Sequence, residues 1–261
     1  MTNVELLFKE YAEGYKILTI AGKVAETMHL QAYVVGGFVR NTLMRQDQSD
    51  IDIMVVGDGI AFAQELAPQI GGRKIVPFQR FGTAQIPLEN YLVEIASARS
   101  EAYKLESRKP EVNSADLNMD LSRRDFTVNA MAVSLNESDF GKLYDPYNGV
   151  QDLNTGVIRT PRDPDQTFSD DPLRMLRAIR FASQLDFKID LNIMESIKRH
   201  SNRIEIVSAE RITGEIYKTL DSKTPSVGFE LFQKSGLLEI ILPEISALYG
   251  MEQPSEWHHK D

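Results

Sequence analysis

The sequence predicts a mixed α/β head of about 157 residues followed by an all-helical section. Two observations lead to this fold class. Apolar runs of strand length recur within the first hundred residues, at 32–35, 50–56, 82–87 and 91–97. Beyond about residue 158, the apolar residues follow helical spacing, and no run alternates in the manner of a strand.

The first half of the head is predicted to alternate helices with strands. In chain order we expect one or two amphipathic helices over 4–29, a strand at Ala32–Val35, a Gly36-Gly37 turn that opens a helix from Phe38 to Met44, a strand at Asp50–Val56, and a helix over 60–70. The last of these is expected to end at Gly71-Gly72, because glycine adopts the left-handed conformation that commonly terminates a helix.

The second half of the head is less regular. After strands at Gly82–Pro87 and Tyr91–Ser97, residues 100–120 are polar and rich in Glu, Lys and Asn, which predicts a mobile loop. The segment Arg123–Ala132 is predicted to be a helix, followed by a strand at 131–135. Turn-forming residues then cluster at Asp145–Gly149.

Composition excludes several classes of function. Hydrophobic residues at 42% and charged residues at 26% are ordinary for a soluble globular protein. The sequence contains no cysteine, so a disulfide partner, thiolate catalysis and cysteine-ligated zinc are excluded, and its four histidines are too scattered for a histidine metal cage. We expect a cytoplasmic protein without a membrane partner, since the N-terminal region lacks the uninterrupted apolar segment of a signal peptide.

The net charge of −9 argues against a protein that coats nucleic acid in general. It does not exclude a local basic groove, because contacts to phosphates depend on where the charges lie.

Asp50 and Asp52 begin the second predicted strand. Side chains two residues apart share one face of a strand, about 7 Å apart, so both carboxylates project together. Such a pair can hold one or two Mg²⁺ ions, which prefer oxygen ligands and commonly take one or two carboxylates plus substrate phosphates. Taken alone, the pair is more simply interpreted as a turn, a cap or a solvated face.

A glycine pair precedes these carboxylates. Gly36 and Gly37 lie between an apolar strand and a helix, where free backbone N–H groups can bind a phosphate. Arg40, one turn into that helix, is placed to add charge-assisted hydrogen bonds to the same phosphates. A glycine pair alone is commonly a tight turn, but together with Arg40 and the two aspartates it indicates phosphoryl transfer.

Glu94 interrupts the apolar run Tyr91–Ala96. A carboxylate in a buried strand is unfavourable unless it is paired or bound to a metal. Glu94 is therefore either a third catalytic carboxylate beside Asp50 and Asp52 in the sheet, or an exposed residue of an edge strand.

Several stretches resemble the signature of class II CCA-adding tRNA nucleotidyltransferases and bacterial poly(A) polymerases. They are Gly36–Arg40, Asp50–Asp52, Arg123–Met131 and Asp170–Phe181, and Glu210–Glu215 is similar to a helix-stabilising segment of the same family. The resemblance covers residues from about 30 to about 250. Asn41 stands where the family usually has Asp, and Asp170 where it often has Glu.

This resemblance implies the architecture of the chain. We expect a head of the polymerase-beta nucleotidyltransferase type, a mixed sheet with flanking helices, over 1–157. A helical neck with the base-recognition motif would follow at 158–225, and the start of a helical body at 226–261. Trp257–Asp261 resembles the entry to an HD metal-phosphohydrolase domain, which implies truncation before that domain; the alternative is a simple polar C-terminus.

The resemblance also implies how the nucleotide is held. Arg124 and Asp125 would contact the sugar or triphosphate, whereas the alternative is a helix N-terminal acid beside surface arginines. Asp171 and Arg174 would read the base. Arg177 and Arg180, at three-residue steps along the same helix, would contact phosphate or primer, unless they form a solvated basic face.

Base pairing chemistry supports this assignment for Asp171 and Arg174. A carboxylate accepts from an exocyclic amine while a guanidinium donates to a ring acceptor, and both cytosine and adenine offer that combination. Guanine and uracil present a carbonyl to the carboxylate and would leave polar groups unpaired. The local alternative is that Asp171 caps a helix that begins with Pro172.

The implied activity is Mg²⁺-dependent addition of C and A to the 3′ end of tRNA, with CTP and ATP as substrates and pyrophosphate as product. The stretch Val76–Ile86 looks more like the CCA-adding form than a poly(A) polymerase. Poly(A) addition and A-only or C-only addition stay open as alternatives. From different classes, an inactive nucleotide-binding regulator and an antibiotic-modifying nucleotidyltransferase also stay open.

Overall fold

The chain divides into two units. The computed structural model describes residues 2–46, 49–104 and 107–251, and for 100–104 and 107–114 the backbone alone. The first unit contains Met1–Lys104, Lys109–Thr155 and Arg159–Arg162, and the second contains Gly156–Ile158 and the chain from Asp163 onward. The stretch Trp257–Asp261, with its resemblance to an HD-domain entry, lies outside the described residues.

A seven-stranded sheet forms the centre of the first unit. Its strands are β1 (Gln31–Val35), β2 (Asp50–Val56), β3 (Val76–Phe78), β4 (Thr83–Pro87), β5 (Leu92–Ser97), β8 (Ala132–Ser134) and β9 (Leu143–Tyr144). Their order across the sheet is β3-β4-β5-β2-β1-β8-β9. Two further sheets have two strands each, β6 (Arg99–Lys104) with β7 (Ser107–Ser114), and β10 (Val157–Ile158) with β11 (Lys188–Ile189).

Thirteen α-helices lie within the described residues. They are α1 (Glu5–Phe8), α2 (Ala12–Thr27), α3 (Gly36–Leu43), α4 (Gly59–Leu66), α5 (Leu117–Ser122), α6 (Gly149–Thr155), α7 (Pro164–Asp170), α8 (Leu173–Leu185), α9 (Leu191–His200), α10 (Ala209–Leu220), α11 (Pro225–Lys234), α12 (Leu237–Ile241) and α13 (Pro243–Ser246). Short 3₁₀ turns occur at Ala67–Ile70, Gln79–Phe81, Thr127–Asn129, Glu137–Asp139 and Ser201–Ile206.

The side chains of β2 point alternately to an apolar face and to an acidic face of the sheet. Ile51, Ile53 and Val55 are buried in the main core, together with residues of α2, α3 and α4. Because successive side chains alternate, Asp50 and Asp52 point to the opposite face. The sheet thus buries one side of β2 completely and presents two carboxylates on the other.

The helix α5 covers only part of the acidic face. Leu117 and Leu121 of α5 join Tyr33 and Met54 in a second apolar cluster, which lies further along β2 than the aspartates. The start of β2 therefore remains open to a ligand while its end is closed by packing.

The second unit is built around α8, whose apolar side is buried along most of its length. A buried ion pair joins α8 to α10, with Arg180 Nε 2.6 Å from Glu215 Oε2. Close packing joins α8 to α11 through small residues, since a Cβ on Gly228 would lie 3.4 Å from the Cβ of Ser183.

Most of the predicted elements are confirmed. The N-terminal helices, the strands at 31–35, 50–56, 83–87 and 92–97, and the strand at 132–134 lie where the sequence places them. The predicted helix over 60–70 is α4 followed by a 3₁₀ turn that ends at Gly71, which has a φ of 81°. The strand β3 was absent from the prediction, because three residues around Pro77 form too short a run to stand out.

The loop predicted at 100–120 is wrong. Two strands, β6 and β7, and the helix α5 occupy this segment. Polar composition indicated a loop, but β6 and β7 pair with each other, and backbone pairing does not require apolar side chains. The start of α5 is capped by Asp116, which accepts from the Met119 N–H at 2.8 Å.

The helix predicted over Arg123–Ala132 is also wrong, because only a 3₁₀ turn forms at Thr127–Asn129. Asp125 Oδ1 accepts from the Phe126 N–H at 2.8 Å and from Asn129 Nδ2 at 3.0 Å. These local bonds compete with helical ones and leave Phe126 extended, with φ −133° and ψ 152°.

The absence of strands expected beyond residue 158 is contradicted by β11, which pairs with β10 in parallel. Each strand has only two residues, too few for an alternating pattern to be visible in the sequence.

Within the described part of the chain, every helix is too short or too polar to cross a membrane.

Gly22 provides a test of how α2 packs on the sheet. A Cβ at this position would lie 2.1 Å from the backbone oxygen of Leu135, so we expect Gly22→Ala to lower the free energy of unfolding by about 1–3 kcal/mol. Gly214→Ala is the matched control, since its Cβ would meet nothing within 4 Å, and replacing a helical glycine there should stabilise by up to about 1 kcal/mol. Urea unfolding followed by circular dichroism measures both, and equal stability of Gly22→Ala and the original protein would contradict this packing.

Candidate active site

Three carboxylates meet where β2 and β5 begin. The strands pair in parallel, with Asp50 opposite Leu92 and Asp52 opposite Glu94. Asp50 is exposed, whereas Asp52 and Glu94 are partly buried. All three line a pocket of about 330 Å³. The register therefore brings together the residues that the sequence proposed as the catalytic set.

The side chain of Glu94 is held by the neighbouring strand. Gln85 on β4 is the register partner of Glu94, and its Nε2 donates to Glu94 Oε1. Sequence reasoning missed Gln85, because the partner of a residue across two strands is decided by the register of the sheet.

Burial raises the pKa of Asp52 from its usual value of 3.8 to about 6. Arg124 opposes this shift by favouring the charged form, while Glu94 and Asp50 reinforce it by repulsion. A cation bound beside Asp52 would therefore stabilise its charged form more than it would stabilise the charged form of an exposed carboxylate.

The glycine turn adopts the geometry that its sequence predicts. Gly36 has a φ of 67°, a conformation that residues with a Cβ rarely adopt. The Gly36 N–H donates to the Met131 carbonyl at 3.4 Å, and Gly37, partly buried, is the second residue of α3. A Cβ at Gly37 would lie 3.7 Å from Arg40 Nη2, so this guanidinium lies over the turn.

Two asparagines orient Arg40. Its Nε and Nη2 donate to Asn41 Oδ1 at 3.0 and 2.8 Å, and its Nη1 donates to Asn129 Oδ1 at 2.5 Å. Asn41 is one of the two departures from the family pattern. Asn129 was not singled out from the sequence, since the helix predicted for its segment would have placed it without relation to Arg40.

Arg124 lies on the other side of the turn. A Cβ on Gly36 would lie 3.0 Å from Arg124 Nη1 and 3.3 Å from Asp52 Oδ2. Asp125, the next residue, is buried, and its Oδ1 accepts the bonds from Phe126 and Asn129 described above. Arg124 is therefore close to the carboxylates, and Asp125 is close to the asparagine that orients Arg40.

Asp50 and Asp52 fit a Mg²⁺ site of the kind that substrate completes. Their oxygens are hard ligands on one face of a strand, and the Glu94 carboxylate is already bonded to Gln85. Among the described residues, no group of three or more acidic or histidine side chains is arranged to hold a metal by itself. Mg²⁺ commonly takes one or two carboxylates and draws its other ligands from phosphates and water, which matches two aspartates beside a glycine turn.

The second unit holds the remaining predicted site residues at the start of α8 and along it. Asp171 Oδ1 accepts from the Leu173 N–H at 3.2 Å. The alternative that Asp171 is the N-cap of a helix beginning with Pro172 is wrong by one residue, because α8 begins at Leu173 and its N-cap is Pro172. Arg174 is buried, and its N–H donates to the Asp171 carbonyl at 3.0 Å. The two residues are therefore neighbours at the start of α8, Asp171 just before it and Arg174 on its first turn.

Arg177 and Arg180 differ in their surroundings. Arg180 is buried; besides its ion pair with Glu215, it donates to Gln184 Oε1 at 2.9 Å, and its guanidinium carbon lies 4.1 Å from the centre of the Phe181 ring. Arg177 is partly exposed, with its guanidinium carbon 5.5 Å from the same ring. The interpretation of both as a solvated basic face is thus wrong for Arg180, because Glu215 compensates its charge within the fold.

Comparison with known proteins gives two domain matches. Residues 32–159 match the poly A polymerase head domain, and residues 186–248 match a probable RNA- and SrmB-binding site of polymerase A. The seven-stranded sheet thus belongs to a head of the polymerase-beta nucleotidyltransferase type, which confirms the predicted fold class.

Curated relatives of known name cover most of the chain. An A-adding tRNA nucleotidyltransferase of Aquifex aeolicus is 37% identical over 238 residues, 88% of this chain and 28% of the relative. A CCA-adding enzyme of Ligilactobacillus salivarius is 36% identical over 222 residues, 84% of this chain and 52% of the relative. The chain therefore spans about half or less of the length of these relatives.

Solved structures of CCA-adding enzymes are similar to this chain in both fold and sequence. A CCA-adding enzyme in an apo form has a TM-score of 0.83 and 33% identity, covering 93% of this chain and 58% of that one. The Thermotoga maritima CCA-adding enzyme complexed with tRNA has a TM-score of 0.81 and 32% identity, covering 97% and 58%. The chain belongs to the family built on the poly A polymerase head domain, together with A-adding and CCA-adding tRNA nucleotidyltransferases.

Proposed function

We propose that this protein adds C and then A nucleotides to the 3′ end of tRNA, using CTP and ATP and releasing pyrophosphate. The observation that carries the proposal is the pair Asp50 and Asp52, which the β1–β2 pairing brings beside the Gly36–Gly37 turn in a poly A polymerase head. Similar CCA-adding enzymes have been solved with ATP, with CTP and with tRNA. The activity would be cytoplasmic.

In the proposed reaction, the 3′-hydroxyl of the RNA attacks the α-phosphate of the bound nucleotide. The bond from oxygen to phosphorus forms as the bond to pyrophosphate breaks, and the hydroxyl proton is released. Gly37 and Arg40 hold the departing phosphates by backbone and guanidinium hydrogen bonds. Asp50 and Asp52 would hold Mg²⁺, which supplies positive charge to the phosphates and favours ionisation of the hydroxyl. Glu94 lies beside Asp52 as the third carboxylate of the site.

Selection of the sugar would rest on Arg124 and Asp125. A carboxylate that accepts from the 2′-hydroxyl distinguishes a ribonucleotide from a deoxyribonucleotide. The bonds from Phe126 and Asn129 restrict the Asp125 side chain to one orientation, which supports such a role.

Selection of the base would rest on Asp171 and Arg174 in the helical neck, here taken as 158–225, with a helical body beginning at 226. Arg174 is buried at the first turn of α8, and burial of a guanidinium strengthens discrimination against a base that leaves it unpaired. Arg177, partly exposed on the same helix, is the better candidate for contact with phosphate or primer than Arg180.

Addition of A alone is the second candidate. It is favoured by A-adding tRNA nucleotidyltransferases that are 37%, 37% and 32% identical to this chain, against 36% for a CCA-adding enzyme.

The deciding assay uses tRNA that lacks its 3′ end, Mg²⁺ and one labelled nucleotide at a time. We expect incorporation of C, followed by A once C is present. Incorporation of A alone, on tRNA that already ends in C, would assign A-only addition. Incorporation of neither nucleotide would reject the proposal.

Two substitutions test the role of the carboxylates in this assay, Asp52→Asn at the site and Asp139→Asn as the matched control away from it. Asp52→Asn should reduce transfer by about a thousandfold or more while Mg²⁺–ATP still binds, because a neutral amide is a poor Mg²⁺ ligand. Asp139→Asn should transfer normally, since Asp139 accepts from Ser134 and Tyr144 at the β8–β9 edge of the sheet, away from β2 and β5. Full activity of Asp52→Asn would remove this residue from the mechanism.

The requirement for Mg²⁺ should depend on pH. Because the pKa of Asp52 is raised to about 6, protons compete with the cation for this carboxylate below that pH. The Mg²⁺ concentration for half-maximal transfer should rise by about tenfold per pH unit below 6 and change little above 7. Activity measured against Mg²⁺ at each pH tests this, and a loss at pH 5 that saturating Mg²⁺ does not restore would contradict it.

Arg174→Ala should loosen the choice of base. Removing the donor to the ring acceptor leaves UTP and GTP less strongly rejected, so their incorporation relative to CTP should rise by about tenfold. Lys198→Ala is the control, because Lys198 is exposed on α9 and paired with Glu195. An Arg174→Ala variant that is slower with every nucleotide in the same proportion would argue against base reading.

A further inference from the structure

Asp120 is a buried carboxylate that the proposed mechanism does not use. It lies on α5 with a relative exposure of 0%. Its Oδ2 accepts from Arg124 Nε at 3.2 Å and Nη2 at 2.9 Å. Its Oδ1 accepts from Arg123 Nη2 at 2.5 Å, from Arg123 Nε at 3.1 Å and from the Arg99 N–H at 3.4 Å. Each of the two arginines thus donates to a different oxygen of the same carboxylate.

The charge on Asp120 is maintained by these partners. Burial alone would raise the pKa of this carboxyl, but Arg124 and Arg123 more than offset it, so that the pKa lies below its usual value. Among these three side chains there is one positive charge in excess. One ionised carboxylate can therefore bind both guanidinium groups and still leave one positive charge in excess.

The contacts of Arg124 determine which of its edges faces the site. Nε and Nη2 are directed to Asp120, and Nη1 lies on the other side, where Gly36 and Asp52 are found. Gly36 permits this approach, because a Cβ there would lie 3.0 Å from Arg124 Nη1. The guanidinium thus extends from a buried anion to the edge of the pocket that Asp50, Asp52 and Glu94 line.

We propose that Asp120 is a positioning residue for nucleotide binding, which holds the Arg124 guanidinium at the Gly36–Asp52 edge so that Nη1 meets the incoming nucleotide. The proposal rests on the function proposed above. It requires Asp120 to act through Arg124 and not through the stability of the unit. A long arginine side chain without such an anchor has many rotamers, and three nearby carboxylates would draw it into the space that the cation and phosphates need.

A double-mutant cycle tests this, with the dissociation constant and stoichiometry of Mg²⁺–ATP measured by isothermal titration calorimetry. The variants are Asp120→Asn, Arg124→Gln and the double substitution. Asp120→Asn should raise the dissociation constant by about tenfold at unchanged stoichiometry, since the arginine stays but loses its orientation. In the Arg124→Gln background, Asp120→Asn should change it by less than about twofold, because the residue through which Asp120 acts is already gone.

Asp152→Asn is the matched control for folding. Asp152 is a buried carboxylate of the same unit that holds Arg159 and the Thr127 hydroxyl. Its substitution should leave the dissociation constant unchanged even where it lowers stability. If Asp120→Asn does not fold, the same cycle with Asp120→Glu, which keeps the charge but displaces it by one methylene, gives a smaller rise that is again absent in the Arg124→Gln background.

Three results would overturn the proposal. They are an equal rise of the dissociation constant in both backgrounds, a lower stoichiometry at an unchanged dissociation constant, and no change at all. Binding is measured without RNA, so a protein that binds Mg²⁺–ATP but extends no tRNA rejects the proposed function and leaves the cycle to decide the role of Asp120. A protein that binds no nucleotide overturns both.

Discussion

The parallel pairing of β2 with β5 is the constraint on which the site depends. It places Asp52 directly opposite Glu94, while alternation along β2 sends Ile51 and Ile53 into the core. A shift of this register by one residue would exchange the two faces of the strand, burying the carboxylates and exposing the core. The burial of apolar residues that stabilises the sheet is thus the same interaction that aligns the acidic groups.

This alignment brings like charges together in a partly buried place. Asp52 shows the consequence, because burial and the neighbouring carboxylates raise its pKa while Arg124 and Arg40 oppose the shift. Both arginines are held by groups outside the carboxylate cluster, Arg40 by Asn41 and Asn129 and Arg124 by Asp120. The acidic pocket is therefore flanked by two arginines whose guanidinium groups are hydrogen-bonded to residues other than the three carboxylates. This arrangement suits a ligand that carries both a metal ion and phosphates.

The second unit uses its arginines in two ways. Arg180 joins α8 to α10 through Glu215 and stabilises the packing of helices, whereas Arg174 lies at the beginning of α8 beside Asp171. Asp171 lies two positions before the first residue of α8, and base recognition is the role proposed for it. Its side chain accepts from the Leu173 N–H, which restricts the orientation of the carboxylate, and restriction is what a base-reading group requires.

The sequence by itself determined the α/β head, the helical section, the glycine turn and the two aspartates, because these depend on local periodicity and on residue types whose chemistry is specific. It did not predict the contact of Asp120 with Arg123 and Arg124, three and four residues further on, because the polar composition of 100–120 predicted a loop in place of α5. Only the tertiary structure decided which side chains meet across strands and loops: Gln85 with Glu94, Asn129 with Arg40, and Arg124 with the Gly36–Asp52 edge. The hydrogen-bonded pairs Gln85–Glu94 and Arg40–Asn129 are 9 and 89 positions apart in the sequence. The register of the sheet and the packing of α5 create these contacts, and no local sequence pattern encodes them.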